Sequence, residues 1–113
     1  MALSDEQRVR YARHLLLPEL GEAAQLRLLA SRVRVVGSAG AREVAEEYLR
    51  RAGVGIEDAH AHGDVHVPEL RCDPSLHEAA AAISGAFAAV EAIKALAGIG
   101  QPARLDPHLL EEV

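Results

Sequence analysis

Tryptophan is absent from this chain of 113 residues, which has one cysteine, one methionine, one phenylalanine and two tyrosines. The single Cys72 excludes an internal disulfide and a four-thiolate zinc site. Basic residues are the minority: 12 Lys and Arg stand against 17 Asp and Glu, a formal net charge of -5 at pH 7. Nucleic-acid phosphates are gripped by a basic face, so this balance argues against nucleic acid as the main partner. Internal repeats and low-complexity linkers are lacking. So is an apolar signal-peptide core after "MALSDEQRVR". The longest apolar tract, 79–97, is interrupted by Ser84, Glu91 and Lys94 and reads as too short and broken for a membrane span. These absences lead to the expectation of a soluble, cytoplasmic protein with no membrane partner.

What is present is room for one small domain, 1–113, with half its residues hydrophobic. Ser4 with Gln7 makes a capping box, so a helix starts near Asp5 and runs through "EQRVRYARHLLL" to Pro18. "GEAAQLRLLAS" predicts a second helix with Ala24, Leu28 and Leu29 on one side. "RVRVVG" predicts a short buried strand. "AREVAEEYLRRAG" predicts a helix with Val44, Tyr48, Leu49 and Ala52 inward, closed by Gly53. "IEDAHAH" and "DVHVP" predict one or two short strands between Ile56 and Val67. Ser75 with Glu78 forms a second capping box, opening a helix that ends at Gly98. This last helix is apolar nearly all round, which predicts burial on more than one side. In the tail, a short strand is expected at Arg104 and Leu105, then an acidic turn. A βαβ unit with extra helices results. Its sheet of two or three strands is marginal alone, and pairing with a second copy through the long helix or a sheet edge would stabilise it. A homodimer is therefore expected.

Two clusters carry possible chemistry. "VRVVGSAGAREVAE" has the strand–turn–helix form with which nucleotide-binding folds begin. "DAHAHGDVH" gathers His60, His62 and His66 with Asp58 and Asp64. In a strand His60 and His62 would share a face, and imidazole with carboxylate suits zinc, nickel or copper. His77 or His108 would be the distant partner. The opposing reading is a solvated turn between strands, because closed structural sites draw on two separated ligand pairs. The balance leaves no metal site expected, with the three histidines as the candidates to test. Cys72 lies just before a helix, a place that favours nucleophilic thiols. A structural or incidental role is the alternative.

The stretch "LSDEQRVRYARHLLLPELGEAAQLRLLASRVRVVGSAG" resembles the N-terminus of the ThiF/MoeB/HesA family, the bacterial relatives of ubiquitin-activating enzymes. The shared pattern is "RYxRHLLLPE-G--xQ-xLxxxRVxVVG" followed by "YLxxAGVG". A second stretch, "AISGAFAAVEAIKALAGIG", resembles the family's late helix, "ALEAIKLLLGIG". The two occur in family order with nearly all of what separates them missing. The resemblance implies an α/β fold: a minimal Rossmann-like βαβ core with N-terminal helices and a long C-terminal apolar helix, in a domain that is usually dimeric. It implies ATP- and magnesium-dependent adenylation of the C-terminal glycine of a small ubiquitin-like carrier.

Carried over residue by residue, the family's "GxGGxG" loop falls on Gly37, Ser38, Ala39, Gly40, Ala41 and Arg42, keeping two of its four glycines. Arg13 matches an arginine that in the family reaches ATP phosphates across the dimer. The ribose-binding acid is due about 20 residues past the loop, near Ala61, with Asp58 and Asp64 on either side. The paired CxxC zinc motif has no counterpart, nor does the metal-binding aspartate. The expectation is a degenerate, non-catalytic domain without cofactor or catalytic residues. It would act as a dimerising, protein-binding scaffold for a ubiquitin-like carrier or an intact family member. The alternative is an adenylyltransferase or nucleotide-binding protein using Arg13, Gly37, Gly40 and Arg42 with ATP and magnesium.

Overall fold

The computed structural model describes residues 4–10 and 21–111. The chain forms α1 (Asp5–Arg10), α2 (Glu22–Ala30), β1 (Arg32–Val36), α3 (Ala39–Arg51), β2 (Gly55–Ile56) and β3 (Gly63–His66). A 3-10 turn (Pro74–Leu76) then leads into α4 (His77–Ala97). This is the expected α/β architecture: a small Rossmann-like core with N-terminal helices and a long C-terminal helix.

Local signals set most of the boundaries. The first capping box forms as read: the Gln7 N–H donates to Ser4 Oγ at 3.2 Å and the Ser4 N–H to Gln7 Oε1 at 3.0 Å. The helix expected to continue to Pro18 lies beyond the described residues after Arg10. Gly53 closes α3 at φ 98 and Gly98 closes α4 at φ 73, left-handed positions that suit glycine. The second box does not form. Asp73 caps instead, accepting from the Ser75 N–H at 3.0 Å with Pro74 at the first helical position, so the helical run opens two residues earlier as a 3-10 turn. Arg104 and Leu105 form no strand; after them Pro107–Leu110 is a turn.

The three strands are parallel in the order β2-β1-β3. Parallel neighbours usually need a crossover of a dozen or more residues. Between β2 and β3 only residues 57–62 intervene. Register makes this possible. Ile56 and Gly63 both lie beside Val33, so the link crosses the lower end of β1 without climbing the sheet. The Glu57 N–H donates to the Val33 carbonyl at 3.0 Å and the His62 N–H to the Arg32 carbonyl at 2.8 Å.

One face of the sheet is covered. Val33 and Val35 are buried, while Arg32, Arg34 and Val36 point to solvent. β1 is therefore half buried and not the fully buried strand expected, and its Arg-Val alternation is the sequence cause. On the bare face Arg34 holds Asp64 with two bonds, 3.0 and 2.7 Å, and Arg32 pairs with Glu57 at 3.4 Å.

The core sits between this sheet and the helices. In α2, Ala24 and Leu28 are buried with Gln25, whose Nε2 donates to the Ala52 carbonyl at 2.8 Å. In α3 the buried residues are Ala41, Ala45 and Leu49; Tyr48, expected inward, is 49% exposed. The inward stripe runs through the alanines one position round, because α4 lies too close for an aromatic ring. That closeness comes from Gly85. A Cβ added there would lie 2.5 Å from the Ala41 carbonyl oxygen and 2.6 Å from Val44 Cβ. α4 buries Ser84, Gly85, Ala88 and Ala89 on this side, while Val90 opposite is 51% exposed. On Val90's own face burial returns only near the end of the helix, where Ala97 is fully buried and its carbonyl accepts from Arg27 at 2.8 Å, so the expected burial on more than one side is met in part. By length and composition the 24-residue Pro74–Ala97 segment is long and apolar enough to cross a membrane, contrary to the reading from its interruptions. Here it packs along α3.

Gly85→Val should destabilise the fold by about 3 kcal/mol or more, since neither neighbour can retreat without parting the helices. Gly40→Ala, whose new Cβ would sit 3.5 Å from Ala81 Cβ, should change stability by less than about 1 kcal/mol. Urea unfolding of both variants checks the contrast through the midpoint at constant m-value.

Candidate functional site

In open α/β sheets, ligands bind beyond the carboxyl ends of the strands, where successive crossovers diverge. Here that point lies between β1 and β3. A cleft of about 1370 Å³ opens there. One wall is the turn into α3, with Ser38, Gly40 and Ala41. The other is the chain from Pro68 to Glu78 and the first turns of α4.

The turn is short. β1 ends at Val36 and α3 begins at Ala39, leaving Gly37 and Ser38 to reverse direction. Gly37 is needed for packing: a Cβ there would lie 2.9 Å from Val67 Cβ. Ser38 is extended at φ -65, ψ 148, and its carbonyl accepts from the Arg42 N–H at 2.8 Å, closing the first helical turn. Its hydroxyl makes no capping bond. Ala39 is tolerated where the family pattern has glycine, because no described non-glycine residue has positive φ. The first-turn N–H groups of α3 have no intrahelical partner, which is how helix N-termini attract anions. Arg42 is exposed and is not among the residues that line the cleft.

The electrostatics oppose an anionic ligand. Among the described residues four carboxylates line the cleft, Glu69, Asp73, Glu78 and Glu111, against one guanidinium, Arg71, with His77 beside them. With His77 neutral this leaves three net negative charges where a triphosphate would need the reverse. Asp73 is held below the usual carboxylate range by the Ser75 N–H and then by the Ser75 hydroxyl, 2.9 Å away. It therefore stays charged at any ordinary pH.

The other sequence candidates do not converge here. Arg13 lies outside the described residues. Asp64 and Asp58 are not among the cleft residues. Asp64 spends both oxygens on Arg34, whose hydrogen bonds hold its carboxyl below the usual range. β2 reaches only to the level of Val33, so the acids that follow it stop three residues short of the end of β1. A strand face shared by His60 and His62 is not formed: His60 sits in a turn, and His62 precedes β3 with its Nδ1 accepting from the Arg32 N–H at 3.3 Å. His66 ends β3, and His108 pairs with Glu111 at 2.8 Å. Among the described residues no three His, Cys, Asp or Glu side chains are grouped to hold a metal ion. Cys72 is a free, half-buried thiol on the cleft wall. The far wall itself was missed from sequence. "CDPS" was its legible signal, an N-cap aspartate followed by proline at the first helical position.

The fold and its cleft define a Rossmann-like α/β protein with the strand–turn–helix of a nucleotide-binding unit. No family model matches the chain. Among curated proteins it is 42% identical over 95 residues to the mouse (Mus musculus) adenylyltransferase and sulfurtransferase MOCS3, covering 84% of this chain and 21% of that protein. It is 35% identical over 95 residues to the SAMP-activating enzyme E1 of Haloferax volcanii, covering 75% of this chain and 35% of the relative. It is 48% identical over 54 residues to the probable adenylyltransferase/sulfurtransferase MoeZ of Mycobacterium tuberculosis, covering 48% and 14%. The chain belongs to the ThiF/MoeB/HesA family. It spans between about a seventh and a third of the length of these relatives.

Asp73 gives the site a pH signature. Its folded pKa is depressed, so the stability it contributes is present above the unfolded value near 4 and is lost as pH falls through the lower folded value. Asp73→Asn should flatten the acid limb of stability below about pH 4, measured by urea titration at falling pH.

Proposed function

We propose that this chain is a non-catalytic, degenerate ThiF/MoeB-like domain that acts as a dimerising, protein-binding scaffold. The observation that supports this reading best is the charge of the cleft: four carboxylates against one guanidinium at the place where a phosphate chain would sit. The turn that would cradle phosphate has a sufficient packing reason in Val67. The described residues that should grip ribose are either engaged by arginine or too far down the sheet. As built, the described residues do not fit ATP. The proposed partner is a small ubiquitin-like carrier, the kind of protein that the SAMP-activating relative is named for activating, or an intact family member. The proposed compartment is the cytoplasm, and no cofactor is required.

A second reading has one observation in its favour: the relatives are named as adenylyltransferases. In that reading the chain binds ATP with magnesium through Gly37, Gly40 and the α3 N-terminus, with Arg13 or Arg42 supplying charge. Adenylation needs several preorganised charges around the phosphates, and among the described residues the cleft walls offer Arg71 alone.

Titration calorimetry of the folded protein with ATP and magnesium separates the two. The non-catalytic reading expects no binding tighter than about 100 μM, roughly -5.5 kcal/mol. Tighter binding that disappears in Ser38→Asp would overturn it. That substitution keeps a good N-cap but places a carboxylate where the phosphate would sit.

A further inference from the structure

We propose that the tail, residues 101–111, is a releasable strap that gates the cleft. Parked on α4 it forms part of the cleft wall, and swung away about Gly100 it opens that wall to a ligand. The device acts on access, so it is independent of which ligand the cleft takes.

The path of the tail carries the argument. α4 ends at Ala97, and Gly98 at φ 73 turns the chain back. Ile99 packs against the core, and its N–H donates to the Lys94 carbonyl at 2.9 Å. Gly100 follows at φ 67. Two left-handed glycines thus flank one anchored residue, a hinge that glycine adopts without strain. Beyond it the chain returns along α4. A groove of about 510 Å³ lies there, with residues 64–66 of β3 on one side, Phe87 of α4 as floor and residues 103–105 as the far wall. The tail then reaches the cleft described above, where Leu110 and Glu111 belong to the wall. One tail therefore bounds both cavities.

The tail is held lightly. Among the described residues three hydrogen bonds tie it to the rest of the chain. Lys94 Nζ donates to the Gln101 carbonyl at 2.7 Å, Glu91 accepts from the Ala103 N–H, and the Arg71 N–H donates to the Pro107 carbonyl at 2.7 Å. Glu91 is itself ion-paired to Lys94, so the first two ties form one latch on α4. The third joins the tail to the cleft wall next to Cys72. Leu105 and Leu110 are half-buried, and the other tail residues are exposed. The turn near the end satisfies itself: the His108 N–H donates to Asp106, and His108 Nδ1 lies 2.8 Å from Glu111. Glu111 also adds a carboxylate to a wall that already carries Glu69, Asp73 and Glu78, and like charges oppose closure. Little buried apolar surface and solvent-exposed main-chain bonds are the marks of a segment that opens locally, well below the free energy of global unfolding. The latch at Glu91 sets how often this one opens.

Native-state amide hydrogen exchange on the full chain tests this. In wild type the Arg71 N–H should exchange through an opening that denaturant does not accelerate and that leaves the amides of Ala88 and Ala89 protected. Glu91→Ala removes the latch without touching Arg71 and keeps a good helix former on α4. It should raise the Arg71 exchange rate several-fold with no change at Ala88. Gly100→Ala strains the closed hinge at φ 67 and sets a Cβ 3.0 Å from Lys94 Cδ, so it should act in the same direction. Cys72, the one thiol in the chain, gives a second readout: its reaction with a maleimide should be several-fold faster in Glu91→Ala than in wild type. An Arg71 N–H that exchanges only by global unfolding would overturn the strap. So would exchange and thiol rates in Glu91→Ala that match those of wild type.

Discussion

The close approach of α3 and α4 at Gly85 is the contact on which the rest of the molecule depends. Aromatic residues are only 3% of the chain, so the core cannot be filled by large rings. Its largest fully buried side chains are Leu28, Leu49 and Gln25. Small side chains bury little area each, and dispersion falls steeply with distance, so such a core holds only if backbones come near one another. Gly85 permits this, bringing α4 against the Ala41 carbonyl with Ala45, Ala88 and Ala89 buried around the crossing. The crossing also fixes function-bearing geometry. α3 carries the turn at Ser38 and Gly40, and α4 supplies the facing wall of the cleft at one end and the floor of the β3 groove further along. A shift at this crossing would change both sites together.

The sheet shows the cost of a small domain. Parallel sheets are usually covered on both faces and read as continuous hydrophobic runs. Here the helices cover one face, and the other is made soluble by Arg32, Arg34, Glu57 and Asp64. Solving the exposed face in this way has a chemical consequence. An aspartate engaged by both nitrogens of an arginine fork has no lone pair to spare for a sugar hydroxyl in the same direction. The arrangement that lets the sheet stand in water therefore commits its nearest acid to a surface ion pair with Arg34.

Where a signal was local, the sequence was a good guide. The Ser4–Gln7 box, the closing glycines Gly53 and Gly98, β1, α3 and α4 all depend on residues a few positions apart, and they appear where expected. Errors arose where the deciding partner was distant. Tyr48 fits an inward stripe by periodicity alone, and only the nearness of Gly85 to Ala41 shows that the stripe runs through alanines. Ser75–Glu78 matches a capping box, but Asp73 with Pro74 competes for the same helix end and wins. The histidines alternate as a strand would, yet the short crossover between β2 and β3 consumes those residues in turns. β1 is the instructive case. Its β-branched composition predicts a buried strand, but its Arg-Val alternation leaves it buried on one face only. The turn of the candidate site was legible as a shape. The acidic wall opposite it was not, because it is assembled from Glu69, Asp73, Glu78 and Glu111 across more than forty residues of chain.

The shape of a phosphate loop and its chemistry are separable requirements. Gly37 must be glycine because Val67 lies against it, and the turn must be tight because β1 and α3 share the same small core. Both conditions hold whether or not an anion is ever bound, so a loop of this form carries little information about ligands by itself. Charge carries more, because no packing constraint demands carboxylates around a cleft open to solvent. A helix N-terminus contributes the equivalent of about half a positive charge, and that effect fades within the first turn. Among the described residues it stands against three net carboxylates around the cleft. The other described arginines whose contacts are fixed lie away from the cleft: Arg32 and Arg34 on the bare face of the sheet, Arg51 beside Glu47 on α3, Arg27 bonded to the Ala97 carbonyl, and Arg104 in the tail beside the β3 groove. Among the described residues, the features left open to solvent are the outer edge of β3, the groove beside it and the flank of α4 at Val90.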